Sequence, residues 1–267
     1  MDKYDIFNEI QVILSILDAD ELPETRRYLE NLITDDDIKN DDPYVIANTI
    51  LDCDRKEALP EVIRTFIEDL FTAAFEDGNA DAMNDLGAHY YDGSRGFEQD
   101  FTKAVECYAL AAEKGSRQAQ ENLGYCYYYG RNIPVDYEKA FHYFALGAFD
   151  GHLISLYKIG DMYMNGYYVD KNPTEAFHIY SRCLGTMTDD AAPKVAGPVF
   201  LRVGNAYLHG NGTKKDPKSA LICFQKAEAF LYDMVADGDY MYKNSLLAAI
   251  DGQEKARALL TEMLENR

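Results

Sequence analysis

Apolar residues recur three and four positions apart along most of the chain, which is the spacing of one helix face. From Ser116 to Tyr129 the stripe is Ala119, Leu123, Cys126 and Tyr127; from Tyr137 to Phe149 it is Ala140, Phe141, Phe144 and Ala148. Toward the N-terminus, Phe7, Ile10, Leu14 and Leu17 predict one helix, and Tyr28, Leu29, Leu32 and Ile33 predict a second. Asp42-Pro43 reads as the cap and first turn of a third, reaching Leu51. Leu59-Pro60 opens a fourth, with Ile63, Phe66, Ile67, Leu70, Phe71 and Phe75 facing inward. Three or four helices are therefore expected over residues 1–70. At the other end, 240–250 and 253–264 predict a closing helical hairpin with charged residues outside.

Between these ends the pattern repeats. A pair made of Leu, Ile or Val followed by Gly occurs at Leu86-Gly87, Leu123-Gly124, Ile159-Gly160 and Val203-Gly204, the glycines 37, 36 and 44 residues apart. Each glycine is followed by Tyr three residues on (Tyr90, Tyr127, Tyr163, Tyr207) and by a second Gly six residues on (Gly93, Gly130, Gly166, Gly210). Then come Asp100, Asp136, Asn172 or Asp216, and four residues later Ala104, Ala140, Ala176 or Ala220. Self-similarity at this period marks a solenoid. Each unit reads as two helices. The first carries a glycine where a neighbouring helix can come close. The second Gly ends that helix in the left-handed conformation. The Asp or Asn caps the next helix, and Pro173 and Pro217 fit its first turn. One such hairpin cannot bury both apolar faces, so neighbours must stack.

The runs Ala82 to Ala104 and Ala119 to Ala140 follow the spacing Ala-x3-Leu-Gly-x2-Tyr-x2-Gly and then Asp-x3-Ala. The chain thereby resembles the Sel-one-like repeat family, relatives of the tetratricopeptide repeat. The third copy departs with Ser155 and Asn172, the fourth with Val203. The resemblance covers about 73–230. It implies an all-α, right-handed α-solenoid of antiparallel hairpins at about 73–115, 116–151, 152–184 and 195–230. Residues 1–70 would form a helical cap, with a separate domain as the alternative, and the C-terminal hairpin would close residues 71–267. The family is defined by shape and serves many functions.

Composition narrows the partner class. A net charge of −20 argues against nucleic acid and anionic membrane, which need a cationic surface. It favours a basic partner or serves solubility; both readings are open. The first ten residues do not resemble a signal peptide, and no stretch approaches the roughly 20 apolar residues of a membrane span, so a cytoplasmic location is expected. Four of the five cysteines, Cys107, Cys126, Cys183 and Cys223, occupy repeat positions where other copies carry residues such as Tyr, Ile, Met or Ala, which suggests packing thiols. Asn211-Gly212-Thr213 matches a glycosylation acceptor but reads as turn chemistry. The acidic run from Thr34 to Asp42 lacks the Gly and Glu of a calcium loop and is expected to be a solvated loop. The eight extra residues before the fourth copy fall in a predicted loop over 185–193, either a ligand contact or a neutral insertion. The five histidines form no helical metal pair, and no phosphate loop or nucleophile elbow is present. No metal or cofactor is expected.

The relatedness to tetratricopeptide repeats implies that first helices line a concave groove. Positions three before and one, four and five after the first glycine then face it. They are Asn84, Ala88, Tyr91 and Asp92; Glu121, Tyr125, Tyr128 and Tyr129; Tyr157, Asp161, Met164 and Asn165; Leu201, Asn205, Leu208 and His209. Of these, Asn84, Tyr91, Asp92, Glu121, Tyr125, Tyr128, Tyr129, Tyr157, Asp161, Asn165, Asn205 and His209 are the candidate binding residues. Tyr offers wide amphipathic contact and Asn can pair with a peptide backbone; packing of Tyr128 and its neighbours between repeats is the open alternative. The expected function is a non-enzymatic adaptor that binds a protein or peptide segment as a monomer. Some cysteine-rich relatives are reported to bind or hydrolyse β-lactams, but their regular cysteine pairing is missing here. A homo-oligomeric structural protein would need an uncovered apolar solenoid end.

Overall fold

The computed structural model describes residues 3–18, 20–34, 42–54, 59–187 and 192–266. Among them there are thirteen α-helices and no strand: α1 (Lys3–Ile16), α2 (Pro23–Thr34), α3 (Pro43–Asp52), α4 (Glu61–Glu76), α5 (Ala80–Asp92), α6 (Phe101–Glu113), α7 (Arg117–Tyr129), α8 (Tyr137–Phe149), α9 (Leu153–Asn165), α10 (Pro173–Thr186), α11 (Ala192–His209), α12 (Pro217–Ala236) and α13 (Lys243–Glu265). The fold is of the α-solenoid class. It divides into two compact units, Met1–Asp136 and Tyr137–Arg267.

In the first unit, α3 packs on α4, α4 on α5, α5 on α6 and α6 on α7. Ile46, Ile50, Ile63, Ile67, Leu70 and Phe71 are fully buried there. Four helices precede the repeats, and Asp42 caps α3 by accepting from the Tyr44 N–H at 2.9 Å. The predicted stripe of α1 is out of register. Ile6, Ile10, Ile13 and Leu17 are buried, while Phe7 and Leu14 are half-buried. α4 runs unbroken through the 70/71 boundary. Most of the acidic run, 35–41, lies outside the described residues.

The repeat signature has a physical cause. A Cβ on Gly87 would sit 2.8 Å from the Tyr108 ring, one on Gly160 2.5 Å from Tyr180, and one on Gly204 2.8 Å from Phe224. Each ring lies four residues after the repeat's Ala, on the partner helix of the same hairpin. The glycine therefore makes room for an aromatic side chain. The second glycines Gly93, Gly130, Gly166 and Gly210 all have φ between 63° and 78° and close their helices. Asp100, Asn172 and Asp216 accept backbone N–H groups at the starts of α6, α10 and α12. Their own N–H groups bond back to the carbonyls of Tyr90, Tyr163 and Tyr207 at 2.8–2.9 Å. This tie fixes the loop at both ends.

A position eight after the first glycine is left-handed in all four copies, although the residue differs: Arg95, Asn132, Tyr168 and Gly212, with φ of 55°, 53°, 64° and 75°. In the last copy only glycine fits, because a Cβ would meet the Pro173 carbonyl oxygen. Asn211-Gly212-Thr213 is thus a packed turn.

The second unit departs from expectation twice. The predicted loop over 185–193 is shorter, because α10 runs to Thr186 and α11 begins at Ala192; 188–191 lie outside the described residues. α11 has 18 residues against 13 in α5, α7 and α9, so the insertion is partly an added helical turn. The final hairpin is one helix, α13, entered through a short 3₁₀ turn at Tyr240–Tyr242. Gly252 does not break it. It is buried against Phe224, where a Cβ would lie 2.6 Å from the ring. Phe224, fully buried, is therefore clasped by Gly204 and Gly252 in the core that joins α11, α12 and α13.

Candidate functional site

In the second unit, the absence of a side chain at Gly160 lets Tyr180 of α10 lie against α9. That contact carries the Tyr180 hydroxyl to the next residue, where it donates to Asp161 Oδ1 at 2.8 Å. From α11, the Arg202 guanidinium donates to both oxygens of the same carboxylate, Nε to Oδ1 at 2.5 Å and Nη2 to Oδ2 at 2.6 Å. Its Nη1 donates to the Pro198 carbonyl at 2.8 Å. The Tyr157 ring lies beneath the guanidinium, 4.6 Å from its centre. Burial acts to lower the Arg202 pKa, but Asp161's charge and hydrogen bonds more than offset it, so Arg202 is held above the usual arginine value. The bidentate pair is a neutral polar strut between two first helices.

Above this strut opens a cavity of about 360 Å³ between α9 and α11. Asn165, Asn205 and Asn211 supply amides, Ser245 of α13 a hydroxyl, and Met164, Leu201 and Ala206 apolar wall. Asn165 donates to the Asp161 carbonyl at 2.7 Å. Asn205 is exposed. The expected residues Asp161, Asn165 and Asn205 thus come together here. Tyr157 is only 3% exposed and serves the strut from below. His209 is exposed and does not line the cavity. Arg202, Asn211 and Ser245 were missed by the repeat arithmetic: Arg202 occupies a position where other copies carry no arginine, and Ser245 lies beyond the repeats.

Lys158 is 4% exposed near the strut. Burial lowers its pKa to about 8, against the pull of Asp161 and with the help of Arg202. Below that pH the lysine is charged in both states and its desolvation is a standing cost. Between about 8 and its ordinary value of 10.5 the unfolded chain holds the extra proton, so stability rises with pH across that window. The shift corresponds to about 3 kcal/mol. Lys158→Met is therefore expected to be more stable than the parent at pH 7, with the advantage shrinking by pH 10. Urea denaturation of both proteins across that range measures it; a difference independent of pH would remove the buried charge from the account.

Against the expectation of no Ser-x-x-Lys nucleophile, Ser155 and Lys158 do stand at that spacing. Ser155 is fully buried, so its hydroxyl is closed to a substrate.

In the first unit, Asn84 and Glu121 are buried, contrary to an open groove position. The reason is that α5 and α7 meet there. Asn122 donates to Asn84 Oδ1 at 3.0 Å, Asn84 to Asp85 at 3.2 Å, and the Tyr44 hydroxyl to Asp85 at 2.6 Å. The hydrogen bond to Asp85, with burial, pushes the Tyr44 pKa up to about 12. Tyr91 accepts from Arg131 Nε at 3.1 Å and meets Phe101 edge-on at 5.1 Å. Arg131 also lies 5.4 Å from the Tyr129 ring, and Tyr129 meets Tyr125 and Tyr128 at 6.1 and 4.9 Å. These tyrosines form an aromatic shelf of which Tyr129 is the most open, at 47% exposed. Asp92, next to Tyr91 in sequence, is exposed.

The cysteines form no disulfide. Cys107, Cys126 and Cys183 are buried, and burial pushes each thiol up to about 12. No helix among the described residues is long and apolar enough to cross a membrane.

Four stretches, 80–116, 117–152, 153–182 and 201–229, match the Sel1 repeat. An Arabidopsis thaliana protein, "ERAD-associated E3 ubiquitin-protein ligase component HRD3B", is 42% identical over 67 residues, 25% of this chain and 11% of that protein. Mouse "Protein sel-1 homolog 2" is 31% identical over 119 residues, 43% of this chain and 16% of that protein. The chain therefore spans a small part of the curated relatives it matches. The crystal structure of a Sel1 repeat protein from Oxalobacter formigenes superposes with a TM-score of 0.57 at 24% identity, covering 75% of this chain and 78% of the other. A protective antigen of uropathogenic Escherichia coli with an SLR fold gives 0.56 at 20% identity, covering 88% of this chain and 48% of the other. At these identities the two structures speak for fold alone.

Proposed function

We propose, from the premise that the repeat region of this chain belongs to the Sel1 repeat family, that the protein is a non-enzymatic adaptor, monomeric, whose second unit holds an extended peptide segment in the α9–α11 cavity. Protein–protein interaction is the role its relatives suggest, since one is named as a component of a ubiquitin ligase. The observation that carries the peptide reading is the lining of the cavity. Three asparagine amides and a serine hydroxyl surround a strut whose two charges cancel. An amide offers a donor and an acceptor together, which matches the alternating N–H and C=O groups of a peptide backbone. Leu201, Met164 and Ala206 give a side chain of the guest an apolar wall. With its charge neutralised, this cavity selects by hydrogen-bond pattern and shape.

The test is selection of a displayed random-peptide library on the whole protein, followed by affinity measurement against variants. Selected peptides are expected to lose about tenfold in affinity on Asn205→Ala, the loss of one or two hydrogen bonds to the guest. Asn205 is exposed, so its removal leaves the fold intact. Peptides that bind the variant as well as the parent would take the cavity out of the proposal.

A further inference from the structure

The first unit carries a second opening, independent of the peptide cavity and lined by different chemistry. It lies between α4 and α6, with α5 as its floor, and encloses about 500 Å³. The floor is apolar: Met83 and Leu86 of α5 are buried beneath it, Phe75 of α4 forms one side, and Leu110 of α6, 45% exposed, forms the other. Four carboxylates line it, Glu68, Asp69, Glu76 and Glu106. Only Glu68 is engaged: it accepts from the Tyr90 hydroxyl at 2.6 Å and lies 3.9 Å from Arg64. Asp69, Glu76 and Glu106 make no hydrogen bond or ion pair among the described residues. Burial, with the charge of Glu68, raises the Asp69 pKa against a smaller opposing pull from the N-terminal ammonium.

The chain's own cations show what this lining accepts. Lys103 lies over the Tyr90 ring at 4.7 Å and donates to its hydroxyl at 3.2 Å. Lys114 lies over the Phe75 ring at 3.9 Å and donates to the Phe75 carbonyl at 2.5 Å. Ammonium groups thus sit on the faces of Tyr90 and Phe75, two rings that line the opening, while Asp69, Glu76 and Glu106 lie between α4 and α6 with no ion pair among the described residues.

We propose that the α4–α6 opening is a docking surface for a basic amphipathic protein segment, apolar on one side and bearing lysine or arginine on the other. The apolar side covers Leu110 and the Met83–Leu86 floor, and the cations pair with Asp69, Glu76 and Glu106. Apolar contact supplies affinity and the carboxylates supply orientation and rate of encounter. In a chain of net charge −20 this opening combines negative charge with an exposed apolar side chain, Leu110. The basic partner that the composition favours therefore belongs to this surface, and the neutral α9–α11 cavity has no call on it.

The probe is a fluorescein-labelled helical peptide with leucine on one face and lysine on the other, titrated by anisotropy into the full chain. Glu76→Gln/Glu106→Gln and, separately, Leu110→Ser are each expected to weaken it about tenfold. All three residues are exposed, so the variants fold. The remote pair Glu254→Gln/Glu262→Gln on α13, also exposed, removes the same charge and is expected to change affinity less than about twofold. An equal loss from the remote pair, or none from Leu110→Ser, would reduce the binding to unspecific attraction and overturn the proposal. Self-association of the protein, lost on the same α4–α6 substitutions, would assign the surface to a second copy and overturn it likewise. None of these readouts involves Asn205, so the two surfaces stand or fall separately.

Discussion

Asp161→Ala is expected to destabilise the second unit by about 3–5 kcal/mol, because it leaves the Arg202 guanidinium largely buried with no counter-charge. Asp161 is 8% exposed, and its carboxylate receives Arg202 twice and Tyr180 once. Removing it strips three charge-assisted or buried hydrogen bonds from one point. Arg202→Met costs less, since Asp161 keeps the Tyr180 hydroxyl as donor. The double variant Asp161→Leu/Arg202→Met removes both charges and fills the space, so it should recover most of the stability lost by Asp161→Ala. Urea denaturation of the three proteins forms the measurement. If the double variant were as unstable as Asp161→Ala, the cost would lie in packing and the strut would have no electrostatic role.

Phe224→Ala should be comparably damaging, at about 3–5 kcal/mol. The ring is fully buried in the core of α11, α12 and α13, with Gly204 on one side and Gly252 on the other. Glycines cannot reach into the void, and their helices are held apart by neighbouring contacts, so the cavity stays open. The reverse change, Gly252→Ala, places a Cβ 2.6 Å from the ring and should cost about 1–3 kcal/mol by overpacking. Combining Gly252→Ala with Phe224→Leu, which shortens the side chain that the new methyl meets, should cost less than the sum of the two single changes. Strict additivity in thermal or urea denaturation would mean that Gly252 and Phe224 do not touch in the way described.

The repeat was legible because its residues answer local and nearest-neighbour demands. A left-handed helix end requires glycine, a free helix start requires Asp or Asn, and a ring on the partner helix requires glycine opposite it. Those demands recur with each hairpin, so Gly93, Asp100 and Gly87 recur in the later copies. The helical pattern was expected to break between 250 and 253, where Gly252 stands, yet α13 runs through it. A glycine inside a helical pattern can mark an end or a close contact, and the choice depends on whether Phe224 lies across from it. The repeat logic misplaced Asn84, Glu121 and Tyr157, which are buried where first helices touch, a contact that the period of one hairpin does not reveal.

The sequence alone determined that the repeat region of this chain is built from helical hairpins of the Sel1 type, and where the glycine-closed and Asp- or Asn-capped helix ends of the repeats lie. Capping, turn and close-packing chemistry act over a few residues and leave their mark on composition. Tertiary structure decided which of the predicted binding residues share a surface. Asp161, Arg202, Asn205, Asn211 and Ser245 meet across up to 84 positions of chain, and the α4–α6 opening gathers Asp69, Glu76 and Glu106 across 37. Distances of that kind are set by how helices stack, through many weak apolar contacts whose sum no single residue announces.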